Sequence, residues 1–142
     1  MSTYLSGIGS DEVADVWHQV AGVIDMALDY SIGEYPLDYI YRCVSEGTMQ
    51  LWVGHEDNEI RYVVVTQITT RPSGLKTCTI VATAGEGMKD WIDNIEQLDA
   101  WCVSQGVDEI LIYGRPGWKR VLSQYGFEHA YTVMRRQVDR RH

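Results

Sequence analysis

Positive charge is scarce in this chain: 12 Lys and Arg stand against 20 Asp and Glu, for a net charge of -8. That balance excludes a general nucleic-acid or anionic-membrane binder, because either surface repels an acidic body. Cysteine is scarce as well. Cys43, Cys78 and Cys102 are odd in number, far apart and each set in an apolar segment. With no CxxC pair they read as buried thiols of a reducing compartment rather than as a disulfide framework. The four histidines, His18, His55, His129 and His142, share no metal-ligand spacing with one another or with the cysteines, which speaks against a zinc site. No apolar run approaches the roughly 20 residues of a membrane span. Met1 to Gly9 have neither a positive n-region nor a long apolar stretch, so no secretory signal is expected. These absences predict a cytoplasmic protein with no metal, no membrane and no nucleic acid among its partners.

What is present is the composition of a globular domain. The chain has 142 residues, 45% of them hydrophobic, enough for one sizeable core and too few for two ordinary domains. A single domain over 1–142 is expected, with its core at 10–138 and a basic tail at 139–142. Charge is uneven along the chain. Arg135, Arg136, Arg140 and Arg141 against Asp139 give the last eight residues +3, which leaves -11 on the first 134. Such a tail reads as a solvated terminus or as a contact for a phosphate or an acidic partner.

Periodicity supplies the elements. Ser10 is placed as an N-cap before Asp11 and Glu12. Val13, Val16, Trp17, Val20, Ile24, Ala27 and Leu28 then recur at helical spacing, so a helix is predicted from Asp11 to Asp29. Pro36 opens a second helix with Leu37, Ile40, Tyr41 and Val44 on one face, and Gly47 ends it. The period then becomes two. Strands are predicted at Met49–Val53, Ile60–Thr70 and Leu75–Thr83, with a polar turn at Gly54–Glu59 and another at Arg71–Gly74. By the shortest connections they form an antiparallel meander. After the glycine-rich junction Ala84–Gly87 comes a helix carrying Met88, Trp91, Ile92, Ile95, Leu98 and Cys102 on one face, ended by Gly106. Val107–Tyr113 is an apolar strand, set parallel to its predecessor by the crossover helix. A short helix from Pro116 to Gly126 and a last strand at Tyr131–Val138 complete an α/β (α+β) order, ααβββαβαβ.

The strand, glycine turn and helix at 75–105 carry the most chemical information. Glycines there let the backbone approach a ligand closely. A helix start behind them offers unpaired N–H groups and the positive end of a dipole, which together cradle a pyrophosphate. The same glycines also serve tight packing alone. Among the aromatic residues, Trp17 and Trp91 read as core and Trp101 as nearer an edge. Trp118, between Arg115 and Lys119 after Gly117, suits a phosphate or adenine contact, or a protein-contact surface. His55, Glu56 and Glu59 cluster in the hairpin turn, and Gln67 and Thr69 lie on the long central strand.

This order of elements, with two local motifs, resembles the GNAT superfamily of N-acetyltransferases over roughly residues 10–138. The family's strand-to-helix turn reads Q/R-x-x-G-x-G/A. The matching positions here are Ala82-Thr83-Ala84-Gly85-Glu86-Gly87, with both glycines present. The second motif is the Gly-Phe that closes the last helix, here Tyr125-Gly126-Phe127-Glu128. Ala84 to Met88, Tyr113 to Trp118 and Tyr125 to Glu128 also look like segments of small GNAT-like proteins of phages and prophages. The resemblance implies a mixed, mostly antiparallel sheet flanked by helices and an acetyl-CoA site at Ala84, Gly85, Glu86, Gly87 and Met88, with Arg115 and Trp118 beside it. It implies acetyl transfer to a small-molecule or protein amine, in a host cytoplasm or a phage particle. The alternative it leaves is a non-catalytic virion-structural or host-interaction protein with a phage structural partner.

Three positions depart from the family pattern. The Q/R of the turn is Ala82. Glu86 puts a carboxylate inside the turn, where it repels a phosphate within about 5 Å by a kilocalorie or more unless it points outward. The residue five before the terminal Phe, a general-acid Tyr in many members, is Leu122, which donates no proton. Tyr125 and Tyr113 are the candidate substitutes. The family usually ends in a two-stranded hairpin, and this chain has room for little more than one strand after Phe127. A homodimer with shared strands is therefore expected.

Overall fold

A computed structural model describes residues 4–28, 35–85, 92–113 and 118–138. Five strands, β1 (Tyr4–Ile8), β2 (Gln50–Glu56), β3 (Glu59–Thr70), β4 (Lys76–Gly85) and β5 (Glu109–Ile112), form one sheet in sequence order. The first four are antiparallel to their neighbours, and β5 joins β4 in parallel. Helices α1 (Val13–Leu28), α2 (Leu37–Glu46), α3 (Ile95–Ser104) and α4 (Trp118–Ser123) complete the described elements. The expected mixed, mostly antiparallel sheet flanked by helices is what folds.

Each face of the sheet has its own core, because strand side chains alternate. On one face α1 and α2 press Val13, Val20, Ile24, Ile40 and Val44 onto Leu51, Val53, Val63 and Val65. On the other, Ile95, Leu98 and Cys102 of α3 and Leu122 of α4 cover Trp52, Tyr62, Val64, Cys78 and Ile80. Each fully buried Val, Leu or Ile contributes about 1.5–3 kcal/mol, so the two faces together hold the sheet flat between its helices.

Several boundaries differ from the sequence reading. Tyr4–Ile8 is a strand that the reading left out, so the element order gains a leading β1. Ser10 does not cap a helix. It begins a single 3-10 turn, Ser10–Glu12, behind Gly9, which makes no side-chain cap bond. The polar turn Gly54–Glu59 shrinks to Asp57 and Asn58, both at positive φ (52° and 68°). That is the twist a two-residue hairpin loop requires, and it lets β2 run on to Glu56. The helix expected through Met88–Cys102 is broken by a turn at Asp93–Asn94 before α3 begins. Residues 127–138 carry no strand in the single chain. The alternation at Tyr131–Val138 is real, but a strand exists only where a neighbour accepts its hydrogen bonds. The loop at 31–34 and Trp91 lie outside the described residues.

Candidate functional site

The sheet opens on one side. β4 pairs with β5 only from Thr77↔Glu109 to Ile80↔Ile112. β5 then stops, whereas β4 continues through Val81–Gly85 against β3 alone. Among the described residues no strand pairs with the outer edge of Val81–Gly85. The backbone groups on that edge are therefore a free row of donors and acceptors, aimed where a ligand can lie as a short extra strand. The sequence reading placed the parting of the strands at Thr83 and Ala84. It begins earlier, after Ile80.

A bulge produces the opening. Val65 pairs with Ala82 and Thr66 with Ile80, so Val81 is the extra residue of β4. A bulge bends its strand and sharpens its twist, which carries β4 away from β5. Thr66, fully buried, fixes the bulge from below: its hydroxyl accepts the Trp52 Nε1–H at 3.0 Å and donates to Gln50 Oε1 at 2.9 Å. Nothing in the local sequence announces this chain of bonds, because Gln50, Trp52 and Thr66 meet only through the β2–β3 register.

Gly85 closes β4 opposite Tyr62. Its φ is +153°, and a Cβ there would stand 2.6 Å from Tyr62 Cβ and 2.9 Å from the Arg61 carbonyl oxygen. The glycine is required by backbone crowding whether or not a ligand comes. Tyr62 is buried, and its hydroxyl accepts a hydrogen bond from Asn94 Nδ2 at 2.7 Å. Arg61, which the β2–β3 pairing skips, is a residue the sequence reading missed. Its Nη2 is 3.4 Å from Glu59 Oε2, and its Nε is buried without a hydrogen-bond partner. A guanidinium N–H left unbonded beside the end of β4 is a donor waiting for an acceptor, since an unsatisfied buried donor costs about 1–3 kcal/mol. The signal for it would have been the odd residue between two alternating halves of β3.

The other predicted residues separate. Ala84 lies on the open part of β4, paired with Val63. Glu86, Gly87, Met88 and Arg115 lie outside the described residues, as does the side chain of Lys119. Trp118 begins α4, half-buried against the core of the α3 face. Ala82 packs on the core between the sheet and α1–α2. Leu122 is buried in the α3-face core, so its place in the fold is held by packing. Tyr113 follows directly on the end of β5, at the mouth of the opening. Its hydroxyl is 2.7 Å from that of Tyr131. This bond, then partial burial, raises its pKa above the usual phenol range. Tyr125 reaches Asp93 instead, donating to Oδ1 at 3.1 Å, and that bond raises its pKa. The two tyrosines therefore serve different elements: Tyr113 stands at the opening, and Tyr125 ties α4 to the turn before α3. His55 is on β2, bonded to Ser6 Oγ at 2.7 Å. Glu59 is taken by Arg61, and Thr69 is exposed on β3. Among the described residues no group of His, Cys, Asp and Glu is arranged to hold a metal ion, and no helix is long and apolar enough to cross a membrane.

No protein-family model matches the sequence, and no curated protein does. Solved structures match over nearly the whole chain. An aminoglycoside acetyltransferase from an uncultured soil metagenomic sample superposes with a TM-score of 0.73 at 14% identity, covering 98% of this chain and 100% of that one. A predicted acetyltransferase with acetyl-CoA from Clostridium acetobutylicum gives 0.69 at 12% identity, covering 95% and 96%. Glucosamine-6-phosphate N-acetyltransferase from Arabidopsis thaliana gives 0.65 at 13% identity, covering 98% and 100%. At such identities the likeness is one of fold, and the fold is that of the GNAT acetyltransferases.

Proposed function

We propose that this chain is an acetyltransferase that takes acetyl-CoA as donor and an amine as acceptor. The observation that carries the reading is the open edge of β4 between the Val81 bulge and Gly85. The residues fit such a donor. The free amides of Val81–Gly85 suit a chain of amides lying alongside, and the unbonded Arg61 Nε suits an anionic oxygen at the glycine end. Arg61 is the cation that Ala82 does not supply. Bound there, the donor offers a thioester carbonyl carbon to the amine nitrogen: the C–N bond forms, the C–S bond breaks and the thiolate leaves. Amides fixed on a strand polarise a carbonyl without reorganising. Tyr113 keeps its proton well past neutral pH, so it can give one to a leaving thiolate and cannot act as a base. Its bond to Tyr131 offers a path for reloading.

The test is calorimetric titration with acetyl-CoA beside an assay of thiol release with a panel of amines. Binding is expected, and Arg61→Gln weakens it about tenfold or more, the worth of a charge-assisted hydrogen bond. Tyr113→Phe is expected to lower kcat by about 100-fold while leaving the Kd for acetyl-CoA unchanged. No heat with acetyl-CoA overturns the reading. The packing of Leu122, where a proton donor is expected, favours a second reading, a GNAT-like protein that binds a partner without catalysis. Donor binding without thiol release from any amine supports it.

A further inference from the structure

Two backbone edges of this chain remain unpaired and match each other. The first is the outer edge of β5, with which nothing pairs among the described residues. The second is residues 131–138, which keep the alternation of a strand with no ladder. This segment is costly to leave bare: Val133 is 60% exposed, Met134 89% and Val138 85%. We infer that the segment Tyr131–Arg136 adds to β5 of a second copy of this chain, each copy giving its segment to the other across a two-fold axis.

Register and charge choose the occupant. Antiparallel pairing with Tyr131 opposite Tyr113 puts Val133 opposite Leu111 and Met134 opposite Ile110. It also puts Arg135 opposite Glu109 and Arg136 opposite Asp108. Opposed apolar pairs and opposed charges each stabilise a sheet by roughly 0.2–1 kcal/mol. A shift of two residues either way brings Arg135 against Leu111 or Val107 and loses both charge pairs. The match also has the right sign at long range, since the segment leads into the basic end of an otherwise acidic chain. Within one chain the segment does not enter this register. It touches β5 only through exposed side chains, Tyr131 and Tyr113, whose rings stand 6.3 Å apart and meet at their hydroxyls. Exchange between two copies pairs both edges at once, at the low cost of swapping an identical element. Each added strand ends at Tyr113, at the mouth of the partner's opening, so this interface would also shape the acceptor side of the site.

The experiment is light scattering on the full chain together with site-directed crosslinking. A mass of twice 16.2 kDa is expected. Leu111→Cys on one tagged chain and Val133→Cys on another, mixed and oxidised, are expected to give a disulfide-linked pair. The native cysteines are free and buried and stand aside. Arg135→Glu with Arg136→Glu is expected to raise the dimer Kd about tenfold or more, and the corresponding Lys pair is expected to restore it. A monomeric mass overturns the inference. So does a 111–133 crosslink that forms within one doubly substituted chain, which would make the segment its own sixth strand. A dimer that never crosslinks at these positions uses another surface and also overturns it. These outcomes are read without acetyl-CoA, so they stand apart from the failure or success of the enzymatic reading.

Discussion

Gly85 shows how one residue can answer two questions at once. The sequence offers it as part of a phosphate turn, and the structure requires it for crowding against Tyr62 and Arg61. Gly85→Ala is therefore expected to destabilise the fold by roughly 1–3 kcal/mol even without ligand. On a chain of this size that lowers Tm by about 2–4 °C per kcal/mol, read by thermal melting. Loss of acetyl-CoA binding in a Gly85 variant says little by itself, and Arg61→Gln is the cleaner probe. The cysteines bear a second prediction. Burial pushes the Cys78 thiol up to about 12 and raises Cys102 as well. Only thiolates react quickly. Native protein at about pH 8 should thus leave both thiols unmodified by an aromatic disulfide reagent, and unfolding should release them. The sign for stability follows. The folded pKa of Cys78 lies above its unfolded value near 9, so its contribution is complete below that pH and lost as pH rises from about 9 to 12. Denaturant melts of the wild type and of Cys78→Ala should differ most in slope across that window.

Elements were legible in the sequence where a period alone determines them. The buried stripe of α1, Val13, Val20 and Ile24, is helical by spacing. The end of α2 is marked by Gly47, whose φ is 85°. The long strand β3 declares itself by its β-branched run. What could not be read depends on a partner. Tyr4–Ile8 contains Ser and Gly and has little strand character of its own. It becomes β1 because β2 offers it an edge, and Gln97 Oε1 takes the outward Leu5 N–H at 2.9 Å. Tyr131–Val138 has the pattern and lacks the edge. The bulge at Val81, which makes the site, appears only when β3 and β4 are laid side by side. Thus the glycine turn was found from its residues, and the opening beside it was not. The hairpin at Asp57–Asn58 gives the prediction that belongs to this scale. Both residues are at positive φ, where a non-glycine residue is strained. Asn58→Gly should stabilise the hairpin by a fraction of a kilocalorie up to about 1 kcal/mol, and Asn58→Val should destabilise it by more. Thermal midpoints of the two variants in one buffer decide it.

At the scale of the whole molecule the dominant feature is charge. The first 134 residues carry -11 and the last eight +3, so the body attracts cations before any contact forms. An amine acceptor is itself a cation in solution. The field raises its local concentration and its encounter rate, and it does so more for a diamine than for a monoamine. The donor is an anion and is repelled by the same field, so its capture relies on short-range contacts at the β4 edge and on Arg61. These opposed effects make a salt test informative. Raising ionic strength from about 20 to 200 mM shortens the screening length from roughly 20 Å to below 10 Å. KM for a diamine should then rise several-fold, KM for a monoamine should rise less, and the Kd for acetyl-CoA should fall or hold. Equal responses from both amines would mean that the acidic body serves solubility alone. A donor affinity that drops with the diamine would place the controlling charge at the phosphate contacts instead, because counter-ions compete there with the anion.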